Sequence, residues 1–168
     1  MEFSKRLWIG IVILAAAARL LPHPWNFTPI IAIGLFAGNQ ARSVYTGILA
    51  TLSALILSDV VLGFDSSFWY VSAAMLIPVL LGRLARNSVG ALVAAALASS
   101  FSFFLITNFM VWATQSLYPH TAAGLMACFS AGIPFYRNQL LGDAFYTVAL
   151  FGGYAILSRL VRPVQQTA

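Results

Sequence analysis

The chain of 168 residues is 61% hydrophobic and only 8% charged, with a mean hydropathy of +0.89. Soluble domains carry about 25% charged residues. Too few charges are present to cover a water-facing surface, so the sequence predicts an integral membrane protein. The net charge of +5 does not indicate nucleic-acid binding, because most basic residues lie at the ends of apolar runs, where they set the orientation of membrane helices.

Apolar runs follow one another along the chain with short linkers between them. A helix that spans a bilayer needs about 20 largely apolar residues. The candidates are Leu7–Leu21, Pro29–Ala41, Val44–Phe64, Phe68–Leu84, Val89–Ala113, Thr121–Tyr136 and Leu140–Leu160. No repeat or soluble segment separates them, so residues 1–168 are predicted to form a single transmembrane domain.

The stretch Arg19–Gly38 interrupts the first apolar run and then begins a short second one. It contains three prolines, and proline cannot continue a helix. Thr28 followed by Pro29 is typical of a helix start. The pattern of small residues Gly34-Leu-Phe-Ala-Gly38 predicts that the second helix is buried within this protein. We expect the break itself to form one wall of a small-molecule site.

The segment at about 121–136 is a poor membrane span because it contains Gly124, Gly132 and Pro134. If all seven candidates crossed the membrane, Arg159 and Arg162 would lie outside. The positive-inside bias therefore favours an all-α bundle of six transmembrane helices, with a re-entrant or interfacial helix at 121–136. Both termini are then cytoplasmic.

Three scarce polar side chains are predicted to share a depth below the outer face, with a fourth, Arg19, just above them. Asp59 and Asn108 are each about five residues from the outer end of their helices, Asp143 is a few residues into the last helix, and Arg19 lies near the end of the first. Ionisable residues in membrane spans are costly and usually functional, so we expect these groups to line a pocket. The alternative is an internal ion pair of Arg19 with Asp59 or Asp143 that only joins helices.

Aromatic residues gather on the same side of the predicted bundle. Most are explained by the membrane interface, where tryptophan and tyrosine are enriched. Trp112 follows Asn108 by four residues and so shares its helix face. We expect Trp112 and Trp25 to stack on a flat ligand with polar edges. Segment 118–138 is predicted to close the site as a lid, and the candidate ligand-binding residues are completed by Asn26, Tyr136 and Asn138.

The sequence predicts no catalytic residue, metal site or cofactor. His23 and His120 are far apart in no metal-ligand pattern, and Cys128 is interpreted as a small packing residue. No nucleotide-binding loop, zincin helix or nucleophile elbow is present. A membrane-embedded enzyme would need one of the histidines within hydrogen-bond reach of an aspartate, directly or through one water.

The stretch from Asn26 to Gly38 (NFTP-x₃-I-x-L-F-x-G) resembles a group of small, uncharacterised bacterial membrane proteins assigned to transport. These are similar in size and layout to the S components of energy-coupling factor (ECF) vitamin transporters, which bind the substrate. The likeness covers nearly the whole chain. Its further positions are Ser58-Asp59 with Gly63, Thr107-Asn108 with Trp112, Tyr118-Pro119, Gly124-Leu125, Ile133-Pro134-Phe135, and Asn138 with Gly142-Asp143.

The resemblance implies a bacterial inner-membrane protein with six helices, cytoplasmic termini and an outward-facing vitamin pocket. It also implies an energising transmembrane subunit with two ATPases, which would dock on small-residue patches such as Ala50-Thr-Leu-Ser-Ala54. The first helix departs from this pattern, which leaves open a protein that works alone. We therefore predict uptake of a small, vitamin-like organic micronutrient from the outer face. The alternative is an accessory subunit of a larger membrane complex, for which a filled interior is expected.

Overall fold

The computed structural model describes residues 5–86 and 88–160, and within these ranges the regular structure is entirely helical. The predicted all-α class is therefore confirmed. The seven helices are α1 (Lys5–Leu20), α2 (Ile30–Gln40), α3 (Val44–Leu62), α4 (Phe68–Ala74), α5 (Leu76–Leu84), α6 (Val89–Thr114) and α7 (Ala122–Leu160).

Three of the helices, α3, α6 and α7, are long and apolar enough to cross a membrane, judged by length and composition. Serine side chains begin two of them: Ser43 accepts a hydrogen bond from Tyr45 N, and Ser88 accepts one from Ala91 N. The other apolar helical segments are shorter: Leu7–Leu20, Ile30–Gln40 and Phe68–Leu84, the last of which is divided into α4 and α5 at Met75.

The short helix α2 lies at the centre of the bundle. Every residue of Ile30–Gly38 is buried, which is the pattern expected of a helix that is apolar on all sides. The backbones of α2 and α5 approach closely, because a Cβ added at Gly38 would lie 1.9 Å from the carbonyl oxygen of Val79, and one added at Gly82 would lie 2.2 Å from that of Leu35. The predicted burial of the Gly34–Gly38 pattern within this protein is thus confirmed.

Two arginines close the C-terminal end of α2. Arg83 donates hydrogen bonds of 2.9 Å to the carbonyl oxygens of Ala41 and Arg42. Arg86 donates from Nε to the carbonyl oxygen of Asn39 at 2.7 Å and from Nη2 to that of Ala41. Carbonyl groups at the end of a helix have no partner within the helix, so these guanidinium groups satisfy that end from α5 and the segment after it.

The predicted division between Thr121–Tyr136 and Leu140–Leu160 is wrong. The structure has a single helix of 39 residues, α7, with Pro134 inside it. At about 1.5 Å per residue its path is roughly 58 Å, about twice the thickness of a bilayer core. Residues 122–138 of the predicted lid are accordingly helical. The rest of the predicted lid, Tyr118–Thr121, belongs to the connection between α6 and α7. Proline removes one backbone donor and disfavours the helix locally, but it does not end the helix here.

The small-residue patch implied on the third helix is not available for docking. Ala50 is 7% exposed and Ala54 is fully buried, and both belong to the hydrophobic core that also contains Val12 and Ala15 of α1 and Ile33 of α2. The pattern serves the packing of α3 within this chain. A partner subunit would have to use a different face.

Candidate functional site

A cavity lies beside the first turn of α2. Its volume is about 170 Å³, and we call it the α2 cavity. It is enclosed by residues from six of the helices and from the loop before α2. Its lining residues are Arg19, Asn26, Thr28, Ile30, Ile31, Leu55, Val71, Met75, Phe103, Gln139 and Asp143.

A second cavity of about 240 Å³ adjoins the first, and we call it the α6–α7 cavity. The two share Asn26, Val71, Phe103 and Gln139 in their linings. Ligand pockets typically measure about 300–1,000 Å³, so each cavity alone is small, whereas the two volumes taken together fall within that range. The rest of the second lining is Ser67, Tyr70, Phe104, Thr107, Asn108, Val111, Gly132 and Phe135.

The loop between α1 and α2 forms a third, more open cavity of about 320 Å³, the loop cavity. Asn26 lines all three cavities. Its φ angle of 63° lies in the left-handed region, which asparagine tolerates better than most residues. A hydrogen bond of 3.0 Å from Phe27 N to the carbonyl oxygen of Pro24 closes the turn around it. The predicted wall at the Arg19–Gly38 break therefore has a cavity on its inner side.

Arg19 and Asp59 form an ion pair between α1 and α3. Arg19 Nη1 lies 2.6 Å from Asp59 Oδ1, and the two side chains are 17% and 13% exposed. The same nitrogen donates to Ser58 Oγ and, at 3.4 Å, to the carbonyl oxygen of Leu55. Arg19 lines the α2 cavity and the loop cavity as well. The ion-pair alternative is therefore observed for Arg19 and Asp59, and the arginine also faces a cavity, whereas Asp59 is absent from the linings of all three cavities.

Asp143 and Gln139 lie one turn apart on α7 and are almost completely buried, at 3% and 4% exposure. Both contact Ser100 on α6: the serine hydroxyl donates to Asp143 Oδ2 at 2.5 Å, and Gln139 Nε2 donates to the serine carbonyl oxygen at 2.8 Å. Both also line the α2 cavity. These contacts fix the register of α6 against α7 and hold a carboxyl and an amide group at the cavity wall.

Asn108 lines the α6–α7 cavity but not the α2 cavity. Its Nδ2 donates to the carbonyl oxygen of Phe104 one turn earlier, at 2.8 Å. A Cβ added at Gly132 would lie 2.4 Å from Asn108 Oδ1, so the absence of a side chain on α7 makes room for this amide. Tyr136 packs beside the same corner, with its ring centroid 4.6 Å from that of Phe104.

Three other predicted site residues lie away from the two inner cavities. Trp25 is 77% exposed and lines the loop cavity. The indole N–H of Trp112 donates to the carbonyl oxygen of Pro119 at 3.0 Å, and its ring packs edge-on against His120. The indole therefore supports the turn between α6 and α7. Asn138 is half-buried on α7, next to Gln139. Because successive helical residues point about 100° apart, the two side chains differ in direction, and Gln139 is the one that lines the cavities.

Sequence reasoning missed Gln139, Ser100 and Thr107. Helical spacing was the signal that could have found them. Ser100, Phe104, Thr107 and Asn108 follow the i, i+4, i+7, i+8 pattern of one helix face. Gly132, Tyr136, Gln139 and Asp143 follow the i, i+4, i+7, i+11 pattern on the other helix.

A family model described as a family of unknown function (DUF6580) matches residues 2–165, nearly the whole chain. The protein belongs to the DUF6580 family. No curated protein and no solved structure matches the chain. Membership of DUF6580 therefore assigns no ligand or activity, and the function has to be argued from the cavities.

Proposed function

We propose that this DUF6580 protein is a membrane-embedded binding protein that captures a small organic micronutrient from the outer face, in the manner of an S component. The observation that carries the proposal is the group of three neighbouring cavities that share Asn26. Amide, carboxyl and guanidinium groups lie on their walls, inside a bundle with many exposed large apolar side chains. Concave sites with a few placed polar groups are the usual form of small-molecule sites.

The proposed arrangement has six membrane crossings and cytoplasmic termini in a bacterial inner membrane. In this orientation α2 and the segment Phe68–Leu84 complete the bundle around the three long helices. The cavities then lie towards the outer face, at the end of α2 opposite Arg83 and Arg86. Exposed large apolar residues on the long helices, such as Leu97 and Val148, would face lipid.

Release to the inside would take either a movement of the whole bundle or an energising partner subunit with ATPases. Such a partner remains part of the proposal, although it would need a surface other than Ala50 and Ala54, which are buried. The rival proposal, an accessory subunit without a ligand, predicts a filled interior. The cavities around Asn26 favour the binding protein over this rival.

The test is to identify what co-purifies with the protein in mild detergent and whether it occupies the hollow. Val71 lines both inner cavities, so Val71→Trp should fill them and lower the amount of co-purified compound, measured by mass spectrometry, at least about tenfold. Val60→Trp is the matched control, because Val60 is 66% exposed on α3. If both variants retain the compound as the unsubstituted protein does, the proposed site is wrong.

A further inference from the structure

The charges around the α2 cavity do not balance. Asp59 pairs with Arg19 at 2.6 Å, so the one arginine on the cavity wall is already compensated. Asp143 is a second carboxyl group on the same wall. When it is ionised, the cavity carries one unmatched negative charge.

The neighbours of Asp143 offer hydrogen bonds but no charge. Ser100 donates to Oδ2 at 2.5 Å, and Gln139 is an amide. The ion pair on this wall is Arg19–Asp59, and none of the arginines whose side chains the structure describes pairs with Asp143. An ionised carboxylate that is 3% exposed and lacks a cation is costly to bury. Either a proton or a bound cation has to neutralise it.

We propose that the α2 cavity takes a small organic cation, such as a protonated amine or a positively charged nitrogen heterocycle, and that Asp143 is its counter-ion. This inference rests on the proposed binding function and adds the charge class of the ligand. Charge-assisted hydrogen bonds are roughly twice as strong as neutral ones, so Asp143 would select for the positive charge.

The rest of the lining suits the same ligand. Phe103 lines both inner cavities, and an aromatic ring is a favourable neighbour of a cation. The amide of Gln139 donates an N–H to the carbonyl oxygen of Ser100, and its oxygen is the end suited to accept from a ligand N–H group.

Unlike Asp143, the first turn of α2 favours a negative or electron-rich group in the cavity. Ile30 and Ile31 line the cavity, and the first N–H groups of a helix have no partner within it. The charge equivalent of a helix N-terminus is roughly +0.5, which offsets only part of the carboxylate. We therefore expect the ligand to carry a hydrogen-bond acceptor towards α2 in addition to its positive nitrogen.

Three probes of nearly the same shape test the charge class: benzylamine, benzyl alcohol and benzoate, which are a cation, a neutral molecule and an anion near pH 7. Binding is measured by isothermal titration to the full chain in detergent, and the signal from Val71→Trp is subtracted as the baseline for a filled cavity. We expect benzylamine to bind at least about tenfold more tightly than benzyl alcohol. Benzoate should not bind above the baseline.

Variants assign the preference to the carboxylate. Asp143→Asn keeps the size of the side chain and should abolish the preference, so that benzylamine and benzyl alcohol bind about equally. Ser100→Ala removes the hydroxyl but keeps the charge, so the preference should remain. The matched control is Asp65→Asn, which removes a charge from the exposed loop before α4; it should behave like the unsubstituted protein. Thermal unfolding checks that each variant is folded.

Several outcomes would overturn the inference. If a proton neutralises Asp143, benzyl alcohol will bind as well as benzylamine. Preferred binding of benzoate, binding of none of the probes above the baseline, or a benzylamine preference that survives Asp143→Asn would also contradict it. These results are separable from the proposed function, because a neutral or anionic compound that co-purifies and is lost in Val71→Trp would support the binding site while excluding the cationic ligand.

Discussion

The two ends of α2 are built in opposite ways. At its C-terminal end Arg83 and Arg86 cover the last carbonyl groups with hydrogen bonds, and glycine contacts bring the backbone of α5 against it. At its N-terminal end the first turn faces a cavity of about 170 Å³ whose walls carry Arg19 and Asp143. The same short helix therefore seals the bundle at one end and borders a hollow at the other. Polar side chains complete the packing at the sealed end, whereas at the open end they line accessible space.

The largest effect is expected at the sealed end. Gly38→Ala would place a Cβ 1.9 Å from a backbone oxygen of α5, and backbone cannot move aside as a side chain can. We expect a loss of about 3 kcal/mol in the free energy of unfolding, at the upper end for overpacking, measured by SDS titration in mixed micelles. In the control Gly153→Ala the new Cβ meets nothing within 4 Å, and stability should stay level or rise by up to about 1 kcal/mol. Equal stabilities for the two variants would contradict the close contact.

The next effect is expected at the open end. Arg19→Met leaves Asp59 without its cation in a site where both side chains are largely buried. We expect a loss of about 2 kcal/mol in the free energy of unfolding, between the values for exposed and fully buried ion pairs. A double-mutant cycle with Asp59→Asn measures the coupling, which should be at least about 1 kcal/mol. Additive effects of the two substitutions would show that the pair contributes little to stability.

A smaller effect is expected where α2 ends. Arg86→Ala removes the bonds to the carbonyl oxygens of Asn39 and Ala41. Since the arginine is exposed to solvent, we expect a loss of about 1 kcal/mol in the free energy of unfolding, at the low end for hydrogen bonds of charged groups. Arg137→Ala, an exposed arginine on α7, is the control and should change stability by less than about 0.5 kcal/mol. If both variants lose similar stability, the loss comes from removing a positive charge and not from the hydrogen bonds that Arg86 makes at the end of α2.

The smallest effect is expected for Trp25→Ala. The side chain is 77% exposed and lines only the loop cavity among the three, so the stability change should be below about 0.5 kcal/mol. Retention of the co-purified compound should fall less than threefold, far less than for Val71→Trp. A loss as large as that of Val71→Trp would move the binding site from the inner cavities to the loop.

The helices were largely predictable from the sequence because apolar runs and prolines are local signals. Burial of the Gly34–Gly38 pattern was predictable for the same reason, since small residues allow close packing. The continuity of α7 was not. Gly132 and Pro134 disfavour a helix locally. In the continuous helix, Gly132 and Gln139 contact residues of α6, and such contacts between distant parts of the chain cannot be read from the local sequence.

The candidate site was predictable only in part. The rarity of charge in an apolar chain pointed to Arg19, Asp59 and Asp143, and the structure pairs the first two and places the third on the same cavity as Arg19. Gln139 was missed because its position at the wall depends on the register of α7 against α6. Trp112 was assigned to the ligand from its spacing to Asn108, but which way an indole N–H points depends on the loop that receives it, here at Pro119.

The length of α2 also bears on how the molecule is assembled. A helix of 11 residues rises about 16 Å, too little to be threaded across a lipid bilayer by itself. In the proposed orientation it reaches its place only when later parts of the chain are present to enclose it, above all the α5 backbone at Val79 and Gly82. Nascent chains that stop before α5 should therefore leave this segment outside the lipid, and its insertion should follow the synthesis of α5.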